Sequence, residues 1–344
     1  MPSIPRRLAN LALVLLAAGP ARAADCTPAT RTSTCFDADT LWTPAAPSRF
    51  HGIPSSSALS RGRYSLGVDV SYLSRPVTLK ALSPDPSGRT VAVVDDVVDA
   101  ALAAAYSPVA HLEVGFVLPA ALYRTGTGLS GVTSRVGPAL TTAALRDVRI
   151  GAGYDLVAPR TTGDSPRFTA MSRLELALPT GDEGSFAGDR GPVLAPSVVF
   201  GLELGRGRLA AEEGARLRSP SDFGDARLGS QFVSSLGGSV EIVPRLVGAS
   251  LEAWILPNFL STGRQLPDGT VVTSGALVPA EWLGSVWTHV SEVLVSMGGG
   301  TAIPLSNETR VGPDGVESTD HFAGVTTPRF RLVFTLRYAP GTAL

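Results

Sequence analysis

The sequence predicts an all-β protein, a transmembrane antiparallel β-barrel of about 12 strands in up-and-down order. Apolar and polar residues alternate over segments of about ten residues, the length of a tilted strand that crosses a membrane. The connections between these segments are alternately short and long. Mean hydropathy is positive, +0.19, although beyond the N-terminus no apolar run approaches the ~18 to 20 residues of a membrane helix.

Residues 1–23 have the plan of a secretory signal peptide. Arg6 and Arg7 precede the apolar run LANLALVLLAAG, and the tripeptide Ala-Arg-Ala at 21–23 forms an A-x-A cleavage site. This plan predicts export by the Sec pathway and a mature chain that begins at Ala24.

Residues 24–61 form an arm that is rich in Ser, Pro and Thr, with too little apolar periodicity to fold alone. Cys26 and Cys35 are the only cysteines of the chain. In an oxidising compartment they favour one small disulfide loop over a metal site. We expect this arm on the periplasmic side, tethered at the mouth of the barrel, where it could act as a plug.

Period-two alternation marks the strands of the barrel, which we place within residues 62–340 and which a short tail, residues 341–344, follows. In TPRFRLVFTLRYAP, at 327–340, five large apolar side chains from Phe330 to Tyr338 share one face, and Arg331 and Arg337 lie on the other. The predicted strands run at about 63–73, 97–106, 110–118, 147–157, 167–178, 193–204, 208–218, 227–242, 246–256, 281–289, 293–303 and 328–338.

The connections separate a membrane barrel from a soluble β-sandwich, which would show the same alternation. Short linkers such as GRG and VPR alternate with long ones such as 119–146, 257–280 and 304–327. A membrane barrel has short periplasmic turns and long external loops, whereas a sandwich has no reason to enforce this order. The sheet must also close on itself, because no open edge is stable in lipid.

The polar faces of the strands predict a charged lumen. The acidic and basic groups are nearly balanced, which favours ion pairs that partly fill the lumen over a selectivity ring of one sign. Glu213 is the exception, since it falls on the apolar face; a bulge near Gly214 or a position at the end of the strand would explain it. The candidate lumen charges are Asp69, Asp99, Glu113, Arg149, Asp155, Arg173, Glu175, Arg208, Glu212, Arg216, Glu252, Arg331 and Arg337.

Composition and motifs argue against several other functions. The chain has 29 basic and 30 acidic residues, which does not favour a nucleic-acid partner. The four histidines are scattered, and neither a Gly-x-Ser-x-Gly elbow nor a phosphate-binding loop is present. The sequence therefore predicts no cofactor, no metal site and no enzyme. One alternative stays open, a lipid ester hydrolase that would use His289, Ser291 and Glu292, although these residues lie where a short turn is expected.

Three segments resemble a known family: LRDVRIGAGYDLV at 145–157, LALPTGDEGSFAGDRGPVLAPSVVF at 176–200, and TPRFRLVFTLRYAP. They are similar to outer membrane barrels related to the transporters of the phenol-degradation meta pathway and to the barrel halves of myxobacterial outer membrane protein A type proteins. This resemblance implies a barrel of about twelve strands and passage of small or hydrophobic molecules. It implies no catalytic residues.

These observations predict an integral, porin-like protein of the outer membrane of a Gram-negative bacterium, with a passive transport or structural role. Its expected partners are outer membrane lipids, a small-molecule solute and the barrel assembly machinery, whose C-terminal recognition signal the last strand resembles. Besides the hydrolase, a second alternative is an adhesin or assembly barrel that acts through its long external loops.

Overall fold

The computed structural model describes residues 33–81, 89–131, 139–158, 166–223, 226–259, 262–265, 271–274, 277–311, 317–321 and 325–341. These residues form a closed antiparallel β-barrel of twelve strands. Within the same ranges, no helix has the length and apolar character to cross a bilayer. The predicted fold class is confirmed.

Each barrel strand pairs antiparallel with its neighbours along the chain. The barrel closes between the first and last strands, from Leu66 opposite Tyr338 to Ser74 opposite Phe330. The strands are β1 Tyr64–Ala81, β2 Arg89–Val109, β3 Leu112–Arg124, β4 Val148–Val157, β5 Arg167–Leu178, β6 Val193–Leu204, β7 Gly207–Arg216, β8 Gln231–Val243, β9 Val247–Ile255, β10 Ala280–Val290, β11 Val293–Ala302 and β12 Phe330–Tyr338.

The two ends of the barrel differ in the connections that they carry. One end, here called the turn end, holds the connections after β2, β4, β6, β8 and β10. Four of these are tight reversals that contain a left-handed residue: His111 (φ 67°), Gly205 (φ 62°), Arg245 (φ 60°) and Ser291 (φ 57°). The opposite end, the loop end, holds the connections after the odd-numbered strands. The predicted alternation of short and long linkers therefore corresponds to the two ends.

The alternation seen in the sequence separates an outer apolar surface from the interior. Along β12, Leu332 and Phe334 are exposed on the outside, at 45% and 42%, whereas Arg331 and Arg337 are buried inside, at 0% and 2%. A surface with this pattern suits contact with hydrocarbon, because its exposed side chains are apolar and the closed sheet leaves no open strand edge.

The first hairpin is longer than the sequence predicts, because β1 continues to Ala81 and β2 begins at Arg89. The register between them shifts from Ser74 to Val77, and Arg75 in this bulge has a φ of 51°. A bulge breaks the period of two, so the pattern loses its phase before the strand ends.

Short elements cover the loop end. Strand Ala144–Leu145 pairs antiparallel with β3, and strands Ser221–Phe223 and Ala226–Leu228 pair as a small hairpin. Hairpins from two different loops combine into a four-stranded sheet of Thr262–Gln265, Val271–Ser274, Asn307–Val311 and Glu317–His321. Two 3-10 helices span Gly128–Gly131 and Glu183–Ser185.

The described part of the arm, residues 33–61, lies inside the barrel. At the loop end, the amide of Ser33 donates to the carbonyl of Asp222 (2.7 Å). At the turn end, the amide of Leu59 donates to Glu113 on β3 (3.1 Å). A barrel of twelve strands is wider than one of eight, whose interior is just filled by side chains, so it has room for an internal segment.

Parts of the arm and both chain ends are outside the described residues. Cys35 is buried and disulfide-bonded; Cys26, its predicted partner, lies outside the described residues. The predicted signal peptide, residues 1–23, and residues 342–344 of the predicted tail also lie outside them.

The apolar core consists of clusters that join the arm to the wall. Each cluster contains at least one arm residue. At the loop end Phe36 lies edge-on against Phe186 and Phe223, at 5.2 and 5.4 Å between ring centroids. Leu41 packs with Trp254 and Leu283, Ala45 with Val117, and Phe50 and Ile53 with Val199. Removing the arm would therefore also remove much of the core.

Glu213 lies on the outer surface, three residues before the end of β7 at Arg216. β7 pairs with β6 and β8 in unbroken register around it, so no bulge is present in these pairings. Its carboxylate accepts a hydrogen bond from the Ser234 hydroxyl of β8 (2.8 Å), which also faces outward.

The apolar outer surface predicts that a charged substitution destabilises the barrel more in the middle of a strand than in a turn. Leu236, in the middle of β8, is 65% exposed, and Leu246, in the turn that follows, is 48% exposed. We expect Leu236→Arg to lower the free energy of unfolding in lipid vesicles by about 2–4 kcal/mol, and Leu246→Arg by about 0–1 kcal/mol. Urea titration followed by tryptophan fluorescence measures both. Equal effects at the two positions would contradict a membrane-spanning outer surface.

Candidate functional site

The charged wall and the arm that it surrounds form the candidate site. All the candidate lumen charges lie on inward faces, and most of them contact the arm, another wall charge, or both. Their places are Asp69 on β1, Asp99 on β2, Glu113 on β3, Arg149 and Asp155 on β4, Arg173 and Glu175 on β5, Arg208, Glu212 and Arg216 on β7, Glu252 on β9, and Arg331 and Arg337 on β12.

Arg331 occupies the centre of a buried network near the loop end. Its guanidinium binds Asp39 of the arm (2.7 Å) and Glu281 of β10 (2.9 Å). The hydroxyl of Thr40 donates to the same Glu281 carboxylate (2.9 Å). Because Arg331 is fully buried, these two carboxylates replace the water that would otherwise solvate it.

Arg146, just before β4, extends this network. It binds Asp37 (2.8 Å), Asp39 (3.0 Å) and Asp99 (3.0 Å). Since Asp39 also binds Arg331, two arginines from different parts of the wall hold the same arm carboxylate. The arm therefore supplies part of the negative charge that these arginines bind, and the wall carboxylates Asp99 and Glu281 supply the rest.

Trp42 of the arm lies between two arginines of the wall. The guanidinium carbons of Arg149 and Arg216 are 4.9 and 4.3 Å from the centre of its ring. The same arginines donate to the carbonyl oxygens of Thr43 and Thr40, each at 2.9 Å. Stacking and hydrogen bonding together fix this part of the arm to β4 and β7.

Arg337 and His51 hold the next part of the arm. Arg337 binds Asp69 (2.6 Å) and donates to the carbonyl oxygen of Pro44 (2.8 Å). The buried ring of His51 lies within hydrogen-bond distance of Thr335 (3.1 Å between Nδ1 and Oγ1). The hydroxyl of Thr335 in turn donates to Asp69 (2.7 Å).

The carboxylate of Glu252 binds only main-chain groups of the arm. Its carboxylate accepts the backbone N–H groups of His51 (2.6 Å), Gly52 (2.9 Å) and Ile53 (3.2 Å). Three successive amides around one carboxylate make an anion-binding turn. Only 1% of Glu252 is exposed, so these amides are the groups that solvate it.

The turn end is held in a similar way. Asp155 and Glu113 accept the backbone amides of Ala58 (2.7 Å) and Leu59 (3.1 Å). Arg208 donates to the hydroxyl of Ser56 (3.0 Å), which lies 2.6 Å from the hydroxyl of Thr169 on β5.

Wall charges also pair among themselves. Arg173 binds Glu175 (2.9 Å) and approaches Glu113 (3.7 Å), and Arg149 approaches Glu175 (3.3 Å). Glu212 lies near Arg216 on the wall of a small cavity beside Trp42.

Two small cavities lie between the arm and the wall beside Trp42. A cavity of about 30 Å³ is lined by Trp42, Asp99 and Arg149 among others, and a second of about 20 Å³ lies beside Trp254. A water molecule needs about 10–15 Å³ on this scale. Each of these two cavities therefore holds only a few water molecules.

At the loop end, Asp147 fixes the loop that follows β5. Its carboxylate accepts the backbone amides of Gly181 (2.9 Å) and Asp189 (2.8 Å). Burial raises the pKa of Asp147 to about 7, and the two amides oppose this shift. Asp189 in turn binds Arg218 (3.1 Å), which joins this loop to the one after β7.

The residues of the hydrolase alternative lie at the turn end of the barrel. Ser291 lies in the turn after β10 with a φ of 57°. His289 packs edge-on against Trp287 inside the barrel (5.3 Å), and its Nε2 atom is buried without a hydrogen-bond partner in the described part of the chain. Within that part, no hydrogen bond joins His289 to Ser291.

Several residues of the site are absent from the sequence-based prediction. Glu281 shares the inward face of β10 with Leu283 and Ser285, so the alternation could have identified it. Asp37, Asp39, Trp42 and His51 lie in the arm, where no periodic signal exists. Arg146 lies one residue before the alternating part of its strand.

Comparison with known proteins supports the fold. No family model and no curated protein matches the sequence. An outer membrane channel from Pseudomonas putida F1 is similar in structure, with a TM-score of 0.54 at 13% identity over 83% of this chain and 98% of that chain. A mutant of the monoaromatic hydrocarbon channel TodX has a TM-score of 0.37 at 10% identity, over 83% and 91% of the two chains. The channel DcaP of Acinetobacter baumannii has a TM-score of 0.29 at 12% identity, over 82% and 99%.

The first of these likenesses shows that the chain shares the barrel fold of an outer membrane channel. The other two fall below a TM-score of 0.5 and add nothing to it. The resemblance to transporters of the phenol meta pathway stays a prediction.

The buried network predicts that Arg331 is needed for stability. We expect Arg331→Met to lower the free energy of unfolding by about 3–5 kcal/mol, because Glu281 loses its ionic partner and Asp39 keeps only Arg146. Arg329→Met, at an exposed position two residues earlier, is the matched control. Urea titration in lipid vesicles measures both, and a loss below about 1 kcal/mol for Arg331→Met would contradict the network.

The raised pKa of Asp147 predicts a pH dependence of the loop at 179–192. When the loop is docked, the Asp147 carboxylate binds a proton more tightly than it does in the undocked chain. Docking is therefore most stable below pH 4 and weakens as the pH rises towards about 7. Hydrogen exchange, corrected for the intrinsic rate at each pH, should show this loss of protection. Asp147→Asn should abolish the pH dependence, whereas Asp222→Asn, at an exposed loop carboxylate, should preserve it.

Proposed function

We propose that this protein is an outer membrane channel for small polar solutes, and that its N-terminal arm closes the lumen. The single observation that carries this proposal is a closed twelve-stranded barrel with an apolar outer surface, whose charged interior is occupied by residues 33–61. The turn end faces the periplasm and the loop end faces outward, as in membrane barrels generally.

The likeness to the Pseudomonas putida F1 protein, described as an outer membrane channel, supports this reading. The outer surface would contact outer membrane lipids, and β12 would be the strand that the barrel assembly machinery recognises. The lumen is lined by arginines and carboxylates, which favours polar solutes over the hydrophobic ones that the sequence resemblance allows. The paired charges of both signs favour weak ion selectivity.

Passage requires the arm to move, because the cavities beside it hold only a few water molecules. The arm is attached to the barrel at the turn end, through exposed residues 60–63. A partial withdrawal that breaks the contacts of Trp42 with Arg149 and Arg216 would open the middle of the lumen. Deleting the arm is a poor test of this idea, because the core clusters depend on it.

A disulfide that locks the arm tests the proposal without deleting anything. The hydroxyls of Ser56 and Thr169 are 2.6 Å apart, so Ser56→Cys with Thr169→Cys can form a disulfide between the arm and β5. In planar bilayers we expect the oxidised variant to stay closed and the reduced variant to open at least about tenfold more often, the effect of a tether worth about 1.4 kcal/mol.

The control is the unaltered protein with and without reductant, because Cys35 is itself disulfide-bonded. A large and steadily open conductance in the oxidised double variant would show that the arm does not close the lumen. Absence of conductance in every form would contradict the channel function.

A further inference from the structure

Much of the contact between the wall and the arm is made to the main chain of the arm. Arginines of β4, β7 and β12 donate to the carbonyl oxygens of Thr43, Thr40 and Pro44 (2.8–2.9 Å). Ser250 of β9 donates to the carbonyl oxygen of Arg49 (2.9 Å). None of these bonds depends on which side chain the arm carries at that position.

Carboxylates of the wall bind the other polar group of the arm main chain, the backbone N–H. Glu252, Asp155 and Glu113 accept backbone amides of residues 51–53, 58 and 59. The wall thus offers guanidinium donors to the carbonyl groups of residues 40–44 and carboxylate acceptors to the amides of residues 51–59. A chain that supplies both kinds of group at regular intervals is a polypeptide; a hydrocarbon supplies neither.

Side chains of the arm contribute as well, but unevenly. Charged side chains dominate at residues 37–39, where Arg146 and Arg331 bind two aspartates. From residue 43 to residue 59, main-chain contacts are the more numerous polar contacts, beside the ion pair of Arg49 with Glu241 (2.6 Å) and the side-chain bonds of His51 and Ser56. This second part, from the middle of the lumen to the turn end, resembles a peptide-binding site more than a sequence-specific plug.

We propose that the lumen wall is a binding site for peptide main chain, which the arm occupies in cis, and that peptides are the solute class of this barrel. This inference rests on the proposed channel function. A tethered segment has an effective concentration of the order of millimolar, so the arm excludes peptides of similar affinity until it withdraws. A free peptide would then make the same bonds with Arg149, Arg337 and Glu252.

The experiment uses the full chain with a specific protease site inserted between Ser60 and Arg61, which are exposed at the turn end. Cutting this link leaves the arm in place but removes its tether. Fluorescent peptides with the sequence of residues 42–60, the same composition in scrambled order, and a malto-oligosaccharide of similar length are then added in detergent. Their binding is followed by anisotropy.

We expect the scrambled peptide to bind within about 30-fold of the arm peptide, since the main-chain bonds are kept, and the oligosaccharide not to bind. Binding of the scrambled peptide that is weaker by more than about 30-fold would overturn the inference in favour of an arm-specific plug. Binding of the oligosaccharide as tight as that of the peptides would overturn it in favour of a general polar lumen.

Two further probes test the main-chain bonds directly. Replacing the amides of Gly52 and Ala58 in the arm peptide by esters removes two N–H donors without adding bulk, and should weaken binding by about tenfold or more. An ester at Ala46, whose N–H has no wall partner among the described residues, is the control. Equal binding of these ester peptides would contradict main-chain recognition.

The matching change in the wall is Glu252→Gln, with Glu213→Gln on the outer surface as control. Glu252→Gln should weaken the arm peptide and the scrambled peptide by the same factor, because both offer amides to this carboxylate. An effect on the arm peptide alone would overturn the inference.

Conductance of the cut protein is recorded in parallel. If the cut protein conducts but binds no peptide, only the proposed solute class fails. If it never conducts, the proposed channel function fails.

Discussion

The structure depends on the pairing of buried charges across the lumen. A barrel in lipid must turn its polar residues inward, where little water remains once the arm is in place. Each guanidinium and carboxylate there needs a partner of opposite charge or a peptide group. Arg331 finds Asp39 and Glu281, and Glu252 finds three amides of the arm. The arm consequently supplies ionic and hydrogen-bonding partners for the wall charges, in addition to occupying space in the lumen.

This constraint connects stability to function. An arm that pairs with the charged groups of the wall is held tightly, and a channel must be able to release it. The contacts in the loop-end half of the lumen are ion pairs and aromatic packing, as in Arg146 with Asp37 and Phe36 with Phe186. Those in the turn-end half are mostly single bonds to the main chain, such as Asp155 to Ala58. Withdrawal of the arm therefore requires the ion pairs of the loop-end half to break as well as the single bonds of the turn-end half.

Much of the barrel was predictable because lipid imposes a period of two. Outward residues such as Leu332 and Phe334 must be apolar, and inward ones such as Arg331 are free to be charged, so the pattern reports the fold directly. The prediction lost accuracy where this constraint is absent. The bulge after Ser74 changes the phase of β1, and the loop end is built by packing between segments that have no common period.

The sequence by itself determined that the chain is a closed barrel, which face of each strand is inward, and hence which charges line the lumen. Only the tertiary structure decided which of these charges pair, and that residues 33–61 lie inside. The reason is physical: alternation reflects the local contrast between lipid and lumen. The path of an aperiodic segment depends on partners such as Glu252 and Arg149, which are distant from it in sequence and come together only when the sheet closes.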